Sequence, residues 1–188
     1  MQEFGRLRPA ANHDVDVMLQ WRNHPSVRKN MNSQHEITTE EHRKWWASVS
    51  DATDQVYLIY ECNNISLGVV AFTKIDRFNR NCAWAFYGAP DAPRGTGSKM
   101  EYLALEYAFN TLKLKKLFCE VLSYNVNVLR LHNKFGFHNE GILRCHKLIN
   151  EQFVDVYQLG ILREEWEERS VIAYEELAGG SKYARHQD

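Results

Sequence analysis

No long basic run occurs in this sequence, and 23 lysines and arginines are matched by 24 aspartates and glutamates, for a formal net charge of −1. Bulk electrostatics therefore give no support for a nucleic-acid partner, although a local cationic pocket stays open. There is also no apolar run long enough to span a bilayer. The opening residues, MQEFGRLRPAANHD, lack the apolar core of a secretory leader. The expectation is a cytoplasmic protein with neither nucleic acid nor membrane as partner. Cysteine is sparse. Cys62, Cys82, Cys119 and Cys145 form no C-x-x-C pair, and each sits in an apolar or mixed segment, which fits buried reduced thiols. No metal is expected, and neither an internal repeat nor a long linker is visible.

What is present suits one globular domain. The chain has 188 residues, with 44% hydrophobic and 25% charged residues. That is enough to bury a core. The domain is expected over residues 1–170, with 171–188 as a polar, frayed tail. FGRLRPA (4–10) reads as a strand closed by Pro9. HDVDVMLQWRNHPSV reads as a helix capped by Asp14, with Val17, Met18 and Trp21 at helical spacing and Pro25 interrupting it. TTEEHRKWWASVS (38–50) carries the capping pattern Thr38-x-x-Glu41 and an apolar face of Trp45, Trp46 and Val49.

The hydrophobic period then changes to two. Residues 55–61, 65–76 and 81–89 read as three antiparallel strands, joined at CNN and RFNR. A long helix over 97–113, a strand over 116–123 and a short helix over 125–137 follow. Two more strands span 140–166 and meet at INEQ, where Asn150 suits a tight turn. The order β-α-α-β-β-β-α-β-α-β-β implies an α/β or α+β domain with a mixed sheet.

One segment stands out, DAPRGTGSKMEYLALEYAF (91–109), a proline-glycine turn opening into an amphipathic helix. First-turn amides of a helix lack partners within it, and the macrodipole makes that end positive. Glycines let the backbone come close to a ligand, so the turn suits an anion such as a pyrophosphate, with Arg94 and Lys99 adding charge. It is not a Walker loop, whose spacing and Gly-Lys-Ser/Thr are missing. Nor is it a Rossmann fingerprint, since the third glycine is absent and hairpins precede it.

Three strands, this turn and helix, a further strand, then Asn125 and the run LHNKFGF together resemble the Gcn5-related N-acetyltransferase (GNAT) superfamily over roughly residues 4–166. The resemblance implies the GNAT fold, a mixed, mostly antiparallel sheet flanked by helices with its fourth and fifth strands splayed. It implies acetyl-CoA as the acetyl donor. That family's pyrophosphate motif, Q/R-x-x-G-x-G/A, falls on Ala92 to Ser98, with Ala92 replacing the leading Gln or Arg. Arg94, Gly95, Thr96, Gly97, Ser98 and Lys99 would then hold the pyrophosphate. Phe86 and Tyr87 on AWAFYGA, and Asn125, would meet the pantetheine arm.

Acetyl transfer to an amine needs a neutral amine, a polarised thioester carbonyl and a proton for the departing thiolate. Glu120, the one acid on the strand LFCEVLS, is the candidate base, directly or through water. The family's usual tyrosine beside the CoA sulfur is replaced here by His132, found by aligning through NKFGF. His132 is the candidate acid, with simple hydrogen bonding to the sulfur or plain packing as its other readings; Tyr124 is a weaker substitute. No cysteine suggests an acyl carrier, so direct attack within a ternary complex is expected.

The segments WRNHPSVRKNM (21–31), EEHRKWW (40–46) and FTKI (72–75) are similar to the PseH family of GNAT enzymes. That family acetylates the 4-amino group of a UDP-linked 4-amino-4,6-dideoxy-N-acetyl-altrosamine, on the route to pseudaminic acid for flagellin glycosylation. The resemblance places Arg22, Met31, His42, Trp45, Thr73, Lys74 and Tyr87 at a nucleotide-sugar cleft. A RimJ/RimL-type acetyltransferase of protein N-termini stays open beside it, as does a non-catalytic acyl-CoA-binding module. A homodimer stays open by analogy alone.

Overall fold

Alternation of apolar and polar residues in the middle and C-terminal thirds of the chain resolves into a single sheet. The computed structural model describes residues 4–183. In order come β1 (Arg6–Pro9), α1 (Val15–Asn23), α2 (Pro25–Arg28), α3 (Thr39–Val49), β2 (Val56–Cys62), β3 (Ile65–Asp76) and β4 (Asn81–Gly88). Next are α4 (Thr96–Glu106, extended by a π turn through Thr111), β5 (Lys116–Leu122), α5 (Val126–Lys134), β6 (His138–Ile149), β7 (Gln152–Leu162) and α6 (Arg163–Tyr183). The strands lie in the order β1-β2-β3-β4-β5-β7-β6, antiparallel throughout except for β4 and β5.

The expected turns form for local reasons. Asn63 and Asn64 close the β2–β3 hairpin at φ 52° and 62°, and Asn150 begins the β6–β7 turn at φ 48°. Asparagine tolerates this left-handed region. The Thr38 hydroxyl accepts the Glu41 amide at 3.2 Å while Glu41 accepts the Thr38 amide at 2.7 Å. Helix α3 therefore starts on a complete capping box.

Asp14 behaves differently from the expected helix cap. Its carboxylate makes no cap bond to α1. Instead it accepts from the Arg8 guanidinium at 2.6 and 2.7 Å and from the Ala11 amide at 2.8 Å, pinning β1 to the start of α1. Pro25 does more than interrupt a helix: it takes the first position of α2, where a missing N–H costs nothing.

Strand alternation sorts the core into two layers. Leu58, Tyr60, Val70, Phe72 and Trp84 face α4 and α6, and pack with Met100, Leu105, Phe109 and Trp166. Ile59 and Val69 point to the other face and pack with Met18 and Trp21 of α1. Full burial of side chains this size contributes about 1.5–3 kcal/mol each. The four cysteines are free thiols, as expected, but only Cys82 and Cys119 are buried; Cys62 is half-buried, and Cys145 is exposed on the edge strand β6.

The frayed tail expected from residue 171 is helical instead, as far as Tyr183; residues 184–188 lie outside the described residues. Two anchors hold α6. Trp166 is 2% exposed and donates its indole N–H to Glu106 at 2.9 Å, and Tyr174 meets Phe4 edge-on at 5.1 Å.

The feature that makes a site is the β4–β5 junction. These parallel strands pair only at Asn81–Lys116, Cys82–Leu117 and Ala83–Phe118. Beyond Ala83 and Phe118 they part, and the gap stays open toward the N-terminus of α4.

Candidate active site

The gap between β4 and β5 holds a cavity of about 270 Å³. Trp84 to Gly88 form one wall, Cys119 to Leu122 the other, and Asn125, Val128 and His132 of α5 close the end. The segment from Ser26 to Asn32 covers it. Tyr124 ties that cover down, donating its hydroxyl to the Lys29 carbonyl at 2.8 Å and accepting from the Gln34 amide at 2.8 Å. Its hydroxyl is thereby engaged with the cover.

At the mouth of the gap the glycine turn has the form its sequence suggests. Gly95 caps α4 at φ +90°, and a Cβ there would meet nothing within 4 Å. Side chains rarely adopt that conformation, so glycine belongs there. Gly97 faces Leu131 and Phe86 at 3.4 and 3.7 Å from its missing Cβ. No acid sits in the first turn of α4 to compete for an anion. Arg94 is exposed, Ser98 and Lys99 are half-buried, and Thr96 is buried. An open cradle rimmed by unpaired amides and two cations fits a coenzyme's pyrophosphate. Asn125 makes no side-chain cap on α5, so its amide is available to the cavity it lines.

The two candidate catalytic groups lie on opposite faces of the sheet. Continuing the register past Phe118 puts Cys119 level with Trp84 and Glu120 level with Ala85. Trp84 and Phe86 face α5, their rings 5.4 and 6.1 Å from that of His132. Tyr87 faces α1, its hydroxyl 3.4 Å from the Met18 carbonyl. Glu120 is exposed and lines the cavity from the Tyr87 side.

His132 is 3% exposed, and its Nδ1 donates to Oε1 of Glu101, a wholly buried carboxylate on α4, at 2.8 Å. Burial alone would lower the imidazole's pKa, but the charge of Glu101 and contacts with Cys119 raise it to about 10. Sequence reading missed Glu101, which lies far from its partner along the chain, inside an apolar helix. It also expected no cysteine at the reacting centre, whereas Cys119 lines the cavity with His132.

A second cavity of about 320 Å³ opens on the other face of β4. Arg22, Met31, His42, Trp45, Thr73 and Tyr87, which the resemblance grouped at one cleft, all line it. Met18, Ile37, Tyr57, Val69, Ala71 and Ala85 line it without having been foreseen, and Phe86 lines it too. Lys74 does not reach it. The β3 pairing shifts between Thr73 and Asp76, and Lys74 takes φ 53° there and turns out to solvent. An irregularity of this kind re-aims the side chain that sits on it.

Trp45 forms the floor, stacked on His42 at 4.8 Å and edge-on to Tyr57 at 5.0 Å. Two polar atoms in this lining are buried without partners, Arg22 Nη1 and His42 Nε2. The other Arg22 nitrogen, Nη2, donates to the Ser33 carbonyl at 2.6 Å. Burial lowers the pKa of both side chains, so His42 is held neutral. The two cavities share Met31, Ala85, Phe86 and Tyr87 as a common wall. Among the described residues, no helix is long and apolar enough to cross a membrane, and no three metal-binding side chains come together.

The model of the acetyltransferase (GNAT) domain family matches residues 6–138. The acetyltransferase PseH of Campylobacter jejuni is 28% identical over 143 residues, covering 74% of this chain and 86% of that protein. The spermidine N(1)-acetyltransferase of Escherichia coli is 24% identical over 163 residues, covering 86% and 87%. In fold, the chain is similar to the spermidine N-acetyltransferase of Vibrio cholerae in complex with CoA and spermine. That structure has a TM-score of 0.82 and 21% identity, covering 87% of this chain and 98% of that one. A strand splay, a glycine cradle and a matching family model over more than half its length agree: the chain belongs to the GNAT family and is an acetyl-CoA-dependent N-acetyltransferase.

Proposed function

We propose that the protein acetylates the 4-amino group of a UDP-linked 4-amino-4,6-dideoxy sugar, by direct attack of the amine while both substrates are bound. The observation that carries this reading is the lining of the second cavity. It offers one guanidinium with an unpartnered nitrogen, one neutral imidazole with another, the four aromatic side chains Trp45, Tyr57, Phe86 and Tyr87, and no carboxylate. A diphosphate needs a donor such as the free Arg22 nitrogen, and a uracil ring needs such faces, because a buried N–H left without an acceptor costs about 1–3 kcal/mol. The PseH relatives support the same acceptor. Relatives that acetylate spermidine are of comparable identity, but a polycation would meet Arg22 with no lining acid to offset it.

The coenzyme, when bound, supplies an acetyl group activated as a thioester. Glu120, on the acceptor side of β5, removes the amine proton directly or through one water. The amides at the start of α4, with Arg94 and Lys99, hold the pyrophosphate, and Asn125 meets the pantetheine arm. His132, on the opposite face, gives a proton to the thiolate as it leaves. An ordinary imidazole, with a pKa near about 6.5, would be mostly neutral at working pH and hold no proton to give. The shared wall of β4 and Met31 favours attack with both substrates present over a two-stage route.

The test is CoA release by the purified protein with acetyl-CoA and, in turn, a UDP-4-amino sugar, spermidine and N-terminal peptides. Turnover is expected with the sugar. Turnover of spermidine or peptide without the sugar overturns the substrate, and acetyl-CoA binding with no turnover would leave a binding module.

A further inference from the structure

Catalysis needs more of His132 than its presence at the end of the cavity. The ring must carry a proton when the thiolate leaves, and it must point the right nitrogen at the sulfur. Its surroundings are mostly apolar. Trp84 and Phe86 of β4 and Phe137 before β6 surround it with uncharged rings, at 4.9 Å for the nearest. Two titratable groups face it, Glu101 from α4 and Cys119 from β5, while Arg130 and Lys134, on its own helix, are exposed. An imidazole so enclosed would be neutral if left alone.

Glu101 spends its carboxylate on a single partner. It is wholly buried, its Oε2 has no partner, and its one bond is to His132 Nδ1 at 2.8 Å. A buried carboxylate is costly unless it is paired, and a pair within a core is seldom a net gain in stability. Its placement therefore calls for another reason.

We propose that Glu101 is a positioning residue for acetyl transfer: its carboxylate keeps His132 protonated and, by holding Nδ1, presents Nε2 to the donor cavity. This rests on the reading of His132 as the acid for the leaving thiolate. Burial pushes the Glu101 carboxyl up, the His132 charge opposes that, and the Glu101 charge in turn raises the imidazole, to about 10. A histidine with a buried glutamate behind it thus keeps a proton at neutral pH, in the place where the GNAT resemblance puts a phenol.

The protons balance across the turnover. The C–S bond breaks and the N–C bond forms. The amine proton leaves through Glu120 to solvent, and the thiolate sulfur takes the Nε2 proton. Water reprotonates the imidazole before the next cycle, driven by the Glu101 charge.

Nitrogen NMR of the imidazole in the coenzyme-free protein, followed from pH 5 to 10, reads the claim without catalysis. The wild-type ring should stay doubly protonated through pH 8. In Glu101→Gln the ring should titrate at or below about 6.5, so that kcat at pH 8 falls at least about 30-fold while KM for acetyl-CoA holds, and the deficit shrinks toward pH 6. A neutral wild-type ring at pH 8 overturns the proposal with no variant needed, which covers the case of E101Q failing to fold. An E101Q ring that titrates as the wild type does, or shifts without changing the pH profile of kcat, also overturns it. His132→Gln separates the two levels. If H132Q turns over like the wild type, the acid assignment fails and takes the proposal with it. If H132Q is slow while E101Q keeps the wild-type profile, Glu101's part alone fails.

Discussion

The two cavities on either side of β4 are built by different means. The donor cavity is largely a product of backbone: two strands that pair for a short stretch and then part, a glycine at φ +90°, and unpaired amides at a helix start. The proposed acceptor cavity is a product of side chains. Trp45, Tyr57, Tyr87, Met18 and Met31 shape it, and Arg22 and His42 supply its polar atoms. Topology can preserve the first while nearly every residue changes, and a handful of substitutions would remake the second. The TM-score of 0.82 to a spermidine enzyme therefore speaks to the fold alone and not to the lining of the second cavity, which carries no acid.

Four variants or conditions would break or sharpen this contrast. The largest effect is expected for Glu120→Gln, because a positioned base contributes about 10²–10⁴-fold. Its kcat should fall within that range while calorimetric affinity for acetyl-CoA is unchanged; equal turnover would show that the base lies elsewhere. Arg22→Met should next raise KM for the acceptor by roughly 10–100-fold, the worth of a charge-assisted hydrogen bond, with KM for acetyl-CoA held. A gain in spermidine acetylation by the same variant would confirm that the Arg22 charge excludes cations.

Gly95→Ala acts on the other side. Gly95 sits at φ +90°. A side chain in the left-handed region costs about 1–2 kcal/mol, so acetyl-CoA affinity should weaken by roughly 10-fold with acceptor KM unchanged. A shift confined to the acceptor would undo the separation. The smallest effect concerns stability. The His132 pKa is raised in the folded state, to about 10. Its contribution is therefore fully present below its unfolded pKa, near about 6.5, and is lost as pH rises through about 10. Denaturant titrations should show stability declining over that window in the wild type, and less so in His132→Gln.

Local signals in the sequence were reliable wherever the reason for them was local. The Thr38–Glu41 box, the Asn63–Asn64 and Asn150 turns and the glycine cradle each concern a few neighbouring residues, and all formed. The residues of the second cavity were grouped only through family resemblance, and Lys74 is not part of its lining. Lys74 sits on a strand irregularity that period-two reading cannot see, and the bulge turns it outward. The α6 helix was hidden by its many charges, since its anchoring depends on Trp166 and Ala173 meeting partners far away in sequence. Glu101 and His132 are joined only by tertiary structure. An acid within MEYLALEYAF was a sign of something buried, but nothing local named its partner.

Met31 and three residues of β4 belong to both chambers at once, so the enzyme has one party wall in place of two separate ones. Any displacement of that wall by one occupant is felt by the other, and linkage makes the influence equal in both directions. Donor and acceptor affinities should therefore be interdependent, each ligand's dissociation constant changing by one common factor when the other is present.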